Sequence, residues 1–195
     1  MLNRLNKSNY TLWLSLLGVV IIIIIVAVAI IDYTAHPSQS VITSSPVAGP
    51  ASLKTGNMIG DIAPDFNLPT IENKMMSLYE YRGKNVILNF WATWCGPCAY
   101  EIPFLRETGE TWSKAGVVII AVNTQDNEQD ASLYARRNNL NFIIPVDPRG
   151  KVAALYNVRG LPTSFFIDSE GVIKSIKVGP FISAGEIEER MKAFK

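Results

Sequence analysis

The chain is poor in the residues on which many binding and catalytic sites depend. Its 195 residues include two cysteines and one histidine, and 18 Lys and Arg against 17 Asp and Glu leave a formal net charge of +1. Nucleic-acid binding needs a concentrated basic face that neutralises phosphates, and a zinc site needs about four ligands. We therefore expect neither a nucleic-acid partner nor a bound metal.

One long stretch lacks charge altogether. Residues 12–31 read LWLSLLGVVIIIIIVAVAII, without an acidic or basic side chain. At a rise of about 1.5 Å per residue, a helix of about 20 residues spans the hydrocarbon layer of a bilayer. Arg4 and Lys7 precede the stretch, and the next basic residue is Lys54. The positive-inside rule therefore leaves residues 1–11 in the cytoplasm and the rest of the chain outside.

A cleaved signal peptide is the alternative interpretation of this stretch. The apolar run exceeds the usual hydrophobic region of about 7 to 15 residues, and no clear cleavage site follows before Asp32. We therefore favour an uncleaved signal anchor, in which residues 12–31 cross the cell membrane once and contact the lipid bilayer. Residues 32–57, with the lone His36, are rich in Ser, Thr, Ala, Pro and Gly. They predict a flexible linker with a reach of roughly 28 Å.

The remainder of the chain, residues 58–195, has the pattern of a folded domain in which apolar runs alternate with turn and helix signals. Strands are predicted at 66–68, 75–78, 86–90, 117–122, 163–167 and 172–178. Helices are predicted at 95–113, 130–139 and 186–194, with a single helical turn at 152–156. This order predicts an α/β fold with a mixed central β-sheet flanked by helices and an N-terminal hairpin.

Both cysteines stand in the short sequence TWCGPC, at Cys95 and Cys98. Outside the cytoplasm thiols tend to oxidise, so the pair is a structural staple, a pair of metal ligands or a redox centre. A staple across so short a loop restrains the unfolded chain little. A redox centre suits the spacing, because a sulfur at the start of the predicted helix is favoured as thiolate. Cys95 would then attack a substrate disulfide, and Cys98, one turn further on, would resolve the mixed disulfide.

The residues around the cysteines suit a site that receives another chain. Pro97 fits the first helical turn, where its missing N–H would have no partner, and Gly96 leaves room for a partner to approach. Trp94 offers an apolar docking rim. Trp91 is open to the same interpretation and, equally, to plain core packing.

Three motifs together resemble the thioredoxin superfamily. These are NFWATWCGPC at 89–98, Pro103 beyond it, and GLPT at 160–163 before a predicted strand. GDIAPDFNL at 60–68 and an added segment around 123–156 narrow the resemblance to the TlpA/ResA-like branch, which is related to the AhpC/TSA redoxins. The resemblance implies a thioredoxin fold tethered to the membrane.

The resemblance also implies roles for particular residues. Pro162 is expected to be cis and opposite the disulfide, with Leu161 and Thr163 beside it in the substrate-binding segment, whereas an ordinary turn proline is the alternative. Asn89 stands where cytoplasmic thioredoxins carry a buried aspartate, and an amide cannot titrate. Glu101 is expected to exchange the proton of Cys98 in its place, with an idle surface residue as the alternative.

The function implied is reduction of disulfides in client proteins, apocytochrome c during cytochrome c maturation among them. Electrons would come from a membrane thiol donor of the CcdA/DsbD type, and no cofactor is expected besides the Cys95–Cys98 disulfide. Two alternatives stay open. A peroxiredoxin-type peroxidase shares the framework but needs a threonine three residues before its cysteine, where this chain has Ala92. The other is a non-catalytic tethered binding or holdase module.

Overall fold

The computed structural model describes residues 6–34 and 53–194. The chain divides into two units, Met1–Pro50 and Ala51–Lys195. In the first unit, α1 (Asn6–Thr34) is helical, and the described side chains are those at 13–14 and 16–28. Within the described part of the chain, no helix is found that is long and apolar enough to cross a membrane. The membrane span thus stays a prediction, and Arg4, His36 and most of the predicted linker lie outside the described residues.

The second unit is built on a five-stranded mixed sheet. Its strands are β3 (Asn85–Trp91), β4 (Val117–Thr124), β5 (Val146–Asp147), β6 (Thr163–Ile167) and β7 (Ile173–Val178), in the order β5-β4-β3-β6-β7. Strands β3, β4 and β5 are parallel, whereas β6 and β7 are antiparallel to their neighbours. The helices are α2 (Gly96–Trp112), α3 (Glu128–Arg137), α4 (Lys151–Leu155) and α5 (Ala184–Met191). The predicted α/β fold with a mixed sheet is confirmed.

The N-terminal hairpin is also confirmed. Strands β1 (Asn67–Pro69) and β2 (Met75–Ser77) pair antiparallel. Thr55, which belongs to the predicted linker, forms a β-bridge with Ile62. Strand β5 was not predicted, since two residues are too few to show a periodic pattern. It lies between α3 and α4 in the predicted added segment.

The side chains of β3 point alternately to the two faces of the sheet, and each face carries its own apolar core. Ile87 and Trp91 pack into the core that contains α2 and α5, whereas Leu88 and Phe90 pack into the opposite core. Since successive side chains of a strand point to opposite faces, Asn89 shares the α2 face. The buried positions of α2 are Cys98, Glu101, Leu105 and Thr108. Their spacing of three and four residues is that of one helix face, so Glu101 is directed at the sheet.

Candidate active site

The two cysteines form a disulfide at the N-terminus of α2. Cys95 is the N-cap residue, and its Sγ accepts a hydrogen bond from the backbone N–H of Cys98 at 3.2 Å. Pro97 lies in the first turn, where helices tolerate proline. The Cα atoms of the cysteines are 5.2 Å apart. The helix start thus supplies a hydrogen-bond donor and the positive end of a dipole to the Cys95 sulfur, which favours its thiolate.

Cys95 lines a surface groove of about 460 Å³. Trp94, Gly96, Pro97 and Leu161 line the same groove, so four other predicted site residues come together around the Cys95 sulfur. Trp94 is 62% exposed and forms an open apolar wall. Trp91, by contrast, is buried and donates its indole N–H to the carbonyl oxygen of Ala121 at 3.1 Å. Of the two tryptophans, only Trp94 is available to a docking chain.

The Leu161–Pro162 peptide bond is cis, as the resemblance implies. The carbonyl of Pro162 accepts a hydrogen bond from the N–H of Gly179 at 2.9 Å. Thr163 is buried and donates its hydroxyl to the carbonyl of Gly160 at 2.7 Å. Leu161 therefore faces the groove, whereas Pro162 and Thr163 are held inside and shape the segment that presents it.

Glu101 lies in a buried polar cluster on the inner face of α2. Its side chain is 1% exposed. Oε1 accepts a hydrogen bond from Asn89 Nδ2 at 2.8 Å, and Oε2 accepts one from the N–H of Phe181 at 2.9 Å. Asn89 Nδ2 also donates to Ser164 Oγ at 2.9 Å. The alternative that Glu101 is an idle surface residue is thus wrong, because the carboxyl is enclosed and bonded on both oxygens.

Burial sets the ionisation of Glu101. Loss of hydration raises the pKa of this carboxyl from 4.5 to about 7, against the opposing effect of the hydrogen bonds from Phe181 and Asn89. Glu101 and Cys98 also line the same small internal cavity, of about 10 Å³, with Asn89 and Trp91. A carboxyl that titrates near neutral pH beside a reacting thiol is suited to general acid–base chemistry.

Sequence reasoning missed the residue that fixes the loop before Cys95. Asp126 is buried and accepts hydrogen bonds from the N–H and the hydroxyl of Thr93, at 2.7 and 2.9 Å. It accepts a third from Asn123 Nδ2 at 2.8 Å. Asp126 follows β4, and the carboxyl ends of adjacent parallel strands meet at one edge of a sheet, where ligand sites of open α/β sheets lie. The position of Asp126 just after a predicted parallel strand was therefore the signal from which the sequence could have identified it.

The polar wall of the groove was also missed. Thr124, Gln125 and Arg159 line it together with the apolar side chains. Arg159 directly precedes the GLPT motif. Since the resemblance places that motif opposite the disulfide, the sequence could have predicted that Arg159 lies near Cys95. Within the described residues, no cluster of three or more His, Cys, Asp or Glu side chains could hold a metal ion.

Comparison with known proteins agrees with this geometry. Residues 59–176 match the AhpC/TSA family. The thiol-disulfide oxidoreductase ResA of Geobacillus thermodenitrificans is 39% identical over 142 residues, which cover 73% of this chain and 81% of that protein.

Two solved structures share the fold. A Chlorobium tepidum protein proposed to be the thiol:disulfide interchange protein DsbE aligns with a TM-score of 0.66 and 33% identity, over 74% of this chain and all of that one. StoA of Bacillus subtilis aligns with a TM-score of 0.57 and 30% identity, over 65% of this chain and 96% of that one. The chain therefore belongs to the AhpC/TSA family and, with its Cys95–Cys98 disulfide, is a thiol-disulfide oxidoreductase of the ResA type.

Proposed function

We propose that this protein is a membrane-tethered, extracytoplasmic reductase of disulfides in client proteins. The observation that carries the proposal is the unequal placement of the two sulfurs. Cys95 lines the surface groove, whereas Cys98 lines the internal cavity that it shares with Glu101. One sulfur is therefore placed to meet a client, and the other to receive or release a proton away from it.

In the first step the Cys95 thiolate attacks one sulfur of the client disulfide. A Cys95–client disulfide forms, the client disulfide breaks, and the second client sulfur leaves as a thiolate. The N–H of Cys98, which bonds Cys95 Sγ in the oxidised state, stabilises the attacking anion. Trp94 and Leu161 flank the reacting sulfur and exclude water from the client chain.

In the second step Cys98 resolves the mixed disulfide. The Glu101 carboxylate takes the proton of the Cys98 thiol, and the resulting thiolate attacks Cys95 Sγ. The Cys95–Cys98 disulfide forms, the bond to the client breaks, and the client leaves with both sulfurs reduced. Two electrons have passed from protein to client, and the proton on Glu101 returns to a departing thiolate or to solvent. Hydrogen bonds from Asn89 and Phe181 hold the carboxylate in place.

The cellular setting belongs to the same proposal. The uncharged residues 12–31, preceded by Arg4 and Lys7, support a single membrane span with the catalytic domain outside. Continued turnover there needs a dithiol donor in the membrane, for which we propose a transporter of the CcdA/DsbD type. Apocytochrome c is the client class we propose, because its C-x-x-C-H haem-attachment sequence must be reduced before haem is joined to it.

The chemistry is tested with the full-length protein in detergent and a peptide carrying C-x-x-C-H as a closed disulfide. The reduced wild type should open the peptide disulfide, and the Cys98→Ser variant should accumulate a mixed disulfide visible by mass spectrometry. The Cys95→Ser variant is the control and should trap nothing. A reduced wild type that opens no peptide disulfide would refute the proposal.

The location is tested separately with reporter fusions. A reporter active only outside the cytoplasm, joined after Lys195, should be active, and a reporter active only in the cytoplasm should be silent. The opposite pattern contradicts the proposed orientation.

A further inference from the structure

We propose that the groove beside Cys95 selects clients that carry an acidic side chain next to the disulfide under attack, and that Arg159 is the residue that selects them. This inference rests on the proposed function, since it names the kind of polypeptide that the same site prefers. Nothing in the two-step exchange requires Arg159, so its effect is separable from that of the cysteines.

Arg159 is the single charged side chain among the described residues that line the groove. It is exposed, and it takes part in none of the ion pairs of the described part of the chain. A guanidinium group offers a planar set of donors that matches a carboxylate. The groove thus holds an accessible positive charge with no internal partner.

Two acidic residues lie next to the groove wall. Asp126 is beside Gln125 in sequence, and Asp147 is beside Thr124 across the pairing of β4 with β5. Neither forms an ion pair with Arg159. Asp126 accepts hydrogen bonds from Thr93 and from Asn123. Asp147 is buried and accepts the N–H groups at the start of α4, at 2.9 to 3.0 Å. Neither carboxylate lines the groove.

The other two polar residues of the groove lining are uncharged and differ in exposure. Gln125 is exposed and has a backbone φ of +65°, a left-handed conformation that costs a non-glycine residue energy and recurs at ligand sites. Thr124 is 3% exposed, and its hydroxyl is buried without a hydrogen-bond partner among the described residues. Of the two, Gln125 is therefore the side chain that a client can reach beside Arg159.

Arg159 lies two residues before Leu161 and lines the same groove as Cys95 and Trp94, so a client chain that brings its disulfide to Cys95 occupies a groove that carries this guanidinium. A carboxylate close to the disulfide then meets the guanidinium, whereas a lysine there is repelled. An exposed ion pair between Arg159 and a client carboxylate is weak. We therefore expect kcat/KM to fall about two- to fivefold when the acidic client residue is replaced by a neutral one, and again when the neutral residue is replaced by a basic one.

The experiment uses the full-length protein in detergent and three cyclic disulfide peptides that differ only in the two residues flanking the disulfide, which are Glu, Gln or Lys. Wild-type kcat/KM should fall in the order Glu, Gln, Lys, and the spread should shrink at high salt because exposed charges are screened. Equal rates for all three peptides would overturn the inference and leave the reductase proposal intact. Failure to reduce any of them would refute the reductase proposal itself.

Four variants sharpen the test. Arg159→Gln should remove the preference, Arg159→Lys should keep most of it, and Arg159→Glu should invert the order. Arg137→Gln, an exposed arginine at the end of α3 away from the groove lining, should match the wild type. The contrary outcome is that Arg159→Gln lowers kcat/KM equally for all three peptides and raises the pKa of Cys95, as followed by the absorbance of its thiolate. Arg159 would then act on the sulfur and not on the client. That result would also overturn the inference.

Discussion

The two active-site cysteines lie three residues apart and are both buried, Cys95 at 6% and Cys98 at 1% exposure, yet they line different cavities. Cys95 lines an open groove with the exposed Trp94 and Arg159, and its sulfur accepts a hydrogen bond at a helix terminus. Cys98 is 1% exposed and lies over an internal cavity with the buried Trp91 and Glu101. The same turn of helix therefore presents one sulfur to another protein and encloses the other.

This difference shows how one short motif performs two unlike steps. Attack on a client disulfide needs access and a stabilised thiolate, which the helix start and the groove supply. Resolution needs a proton acceptor whose pKa is close to the working pH, which only burial provides here. The four predictions that follow test this contrast.

Replacing either cysteine by serine should have the largest effect and should distinguish the roles of the two sulfurs. Cys95→Ser should lower disulfide reduction at least 10⁴-fold, to about the uncatalysed rate, because no sulfur remains in the groove. Cys98→Ser should also stop turnover but should accumulate mixed disulfide. Insulin reduction and gel analysis of the adducts measure both effects. Equal trapping by the two variants would show that the sulfurs are interchangeable.

Replacing Trp91 or Trp94 should have very different effects on the free energy of unfolding. Trp91→Ala removes a buried ring and its hydrogen bond to Ala121, so it should lower the free energy of unfolding by about 3 to 5 kcal/mol. Trp94→Ala should change it by less than about 0.5 kcal/mol, because the ring is exposed. Urea unfolding followed by circular dichroism measures both. A large loss in Trp94→Ala would place that ring in the core.

Glu101→Gln should slow resolution of a preformed mixed disulfide about a hundredfold, because the amide cannot accept the Cys98 proton. In the wild type the rate should rise as the pH increases through about 7, where Glu101 ionises, and this step should be absent from the variant. Stopped-flow release of a fluorescent thiol measures it. Glu107→Gln, an exposed glutamate on α2, is the matched control and should keep the wild-type profile.

The raised pKa of Glu101 also predicts how stability depends on pH. Between its ordinary value of 4.5 and its folded value of about 7, the folded protein binds more protons at this carboxyl than the unfolded chain does. Stability contributed by this group is therefore fully present below pH 4.5 and lost as the pH rises through 7, by about 3 kcal/mol in all.

Unfolding of the oxidised protein in urea at pH 5 and pH 8 tests this dependence. The wild type should lose stability over this interval, and Glu101→Gln should lose about 2.5 kcal/mol less. An identical pH dependence in both proteins would show that the carboxyl stays ionised over the whole range.

Much of the fold could be predicted because most of its strands and helices have recognisable local sequence patterns. The uniformly apolar run within β4 and the start of α2 at a C-G-P-C turn are both local features, and the structure places these elements within a few residues of the prediction. The limits of local patterns appear at β5, which is two residues long. They appear again at Thr55, a residue of the predicted linker whose β-bridge with Ile62 has no local signal.

The sequence by itself determined the reactive pair, its position at the start of a helix and the uncharged stretch upstream, since each is a matter of neighbouring residues. Only the tertiary structure decided what surrounds each sulfur. Glu101 meets Asn89 across 12 residues and Phe181 across 80, and Arg159 reaches the groove through a loop that leads into another strand. A carboxyl's pKa and a groove's charge depend on burial and on contacts between distant segments, and those exist only once the sheet and helices have packed.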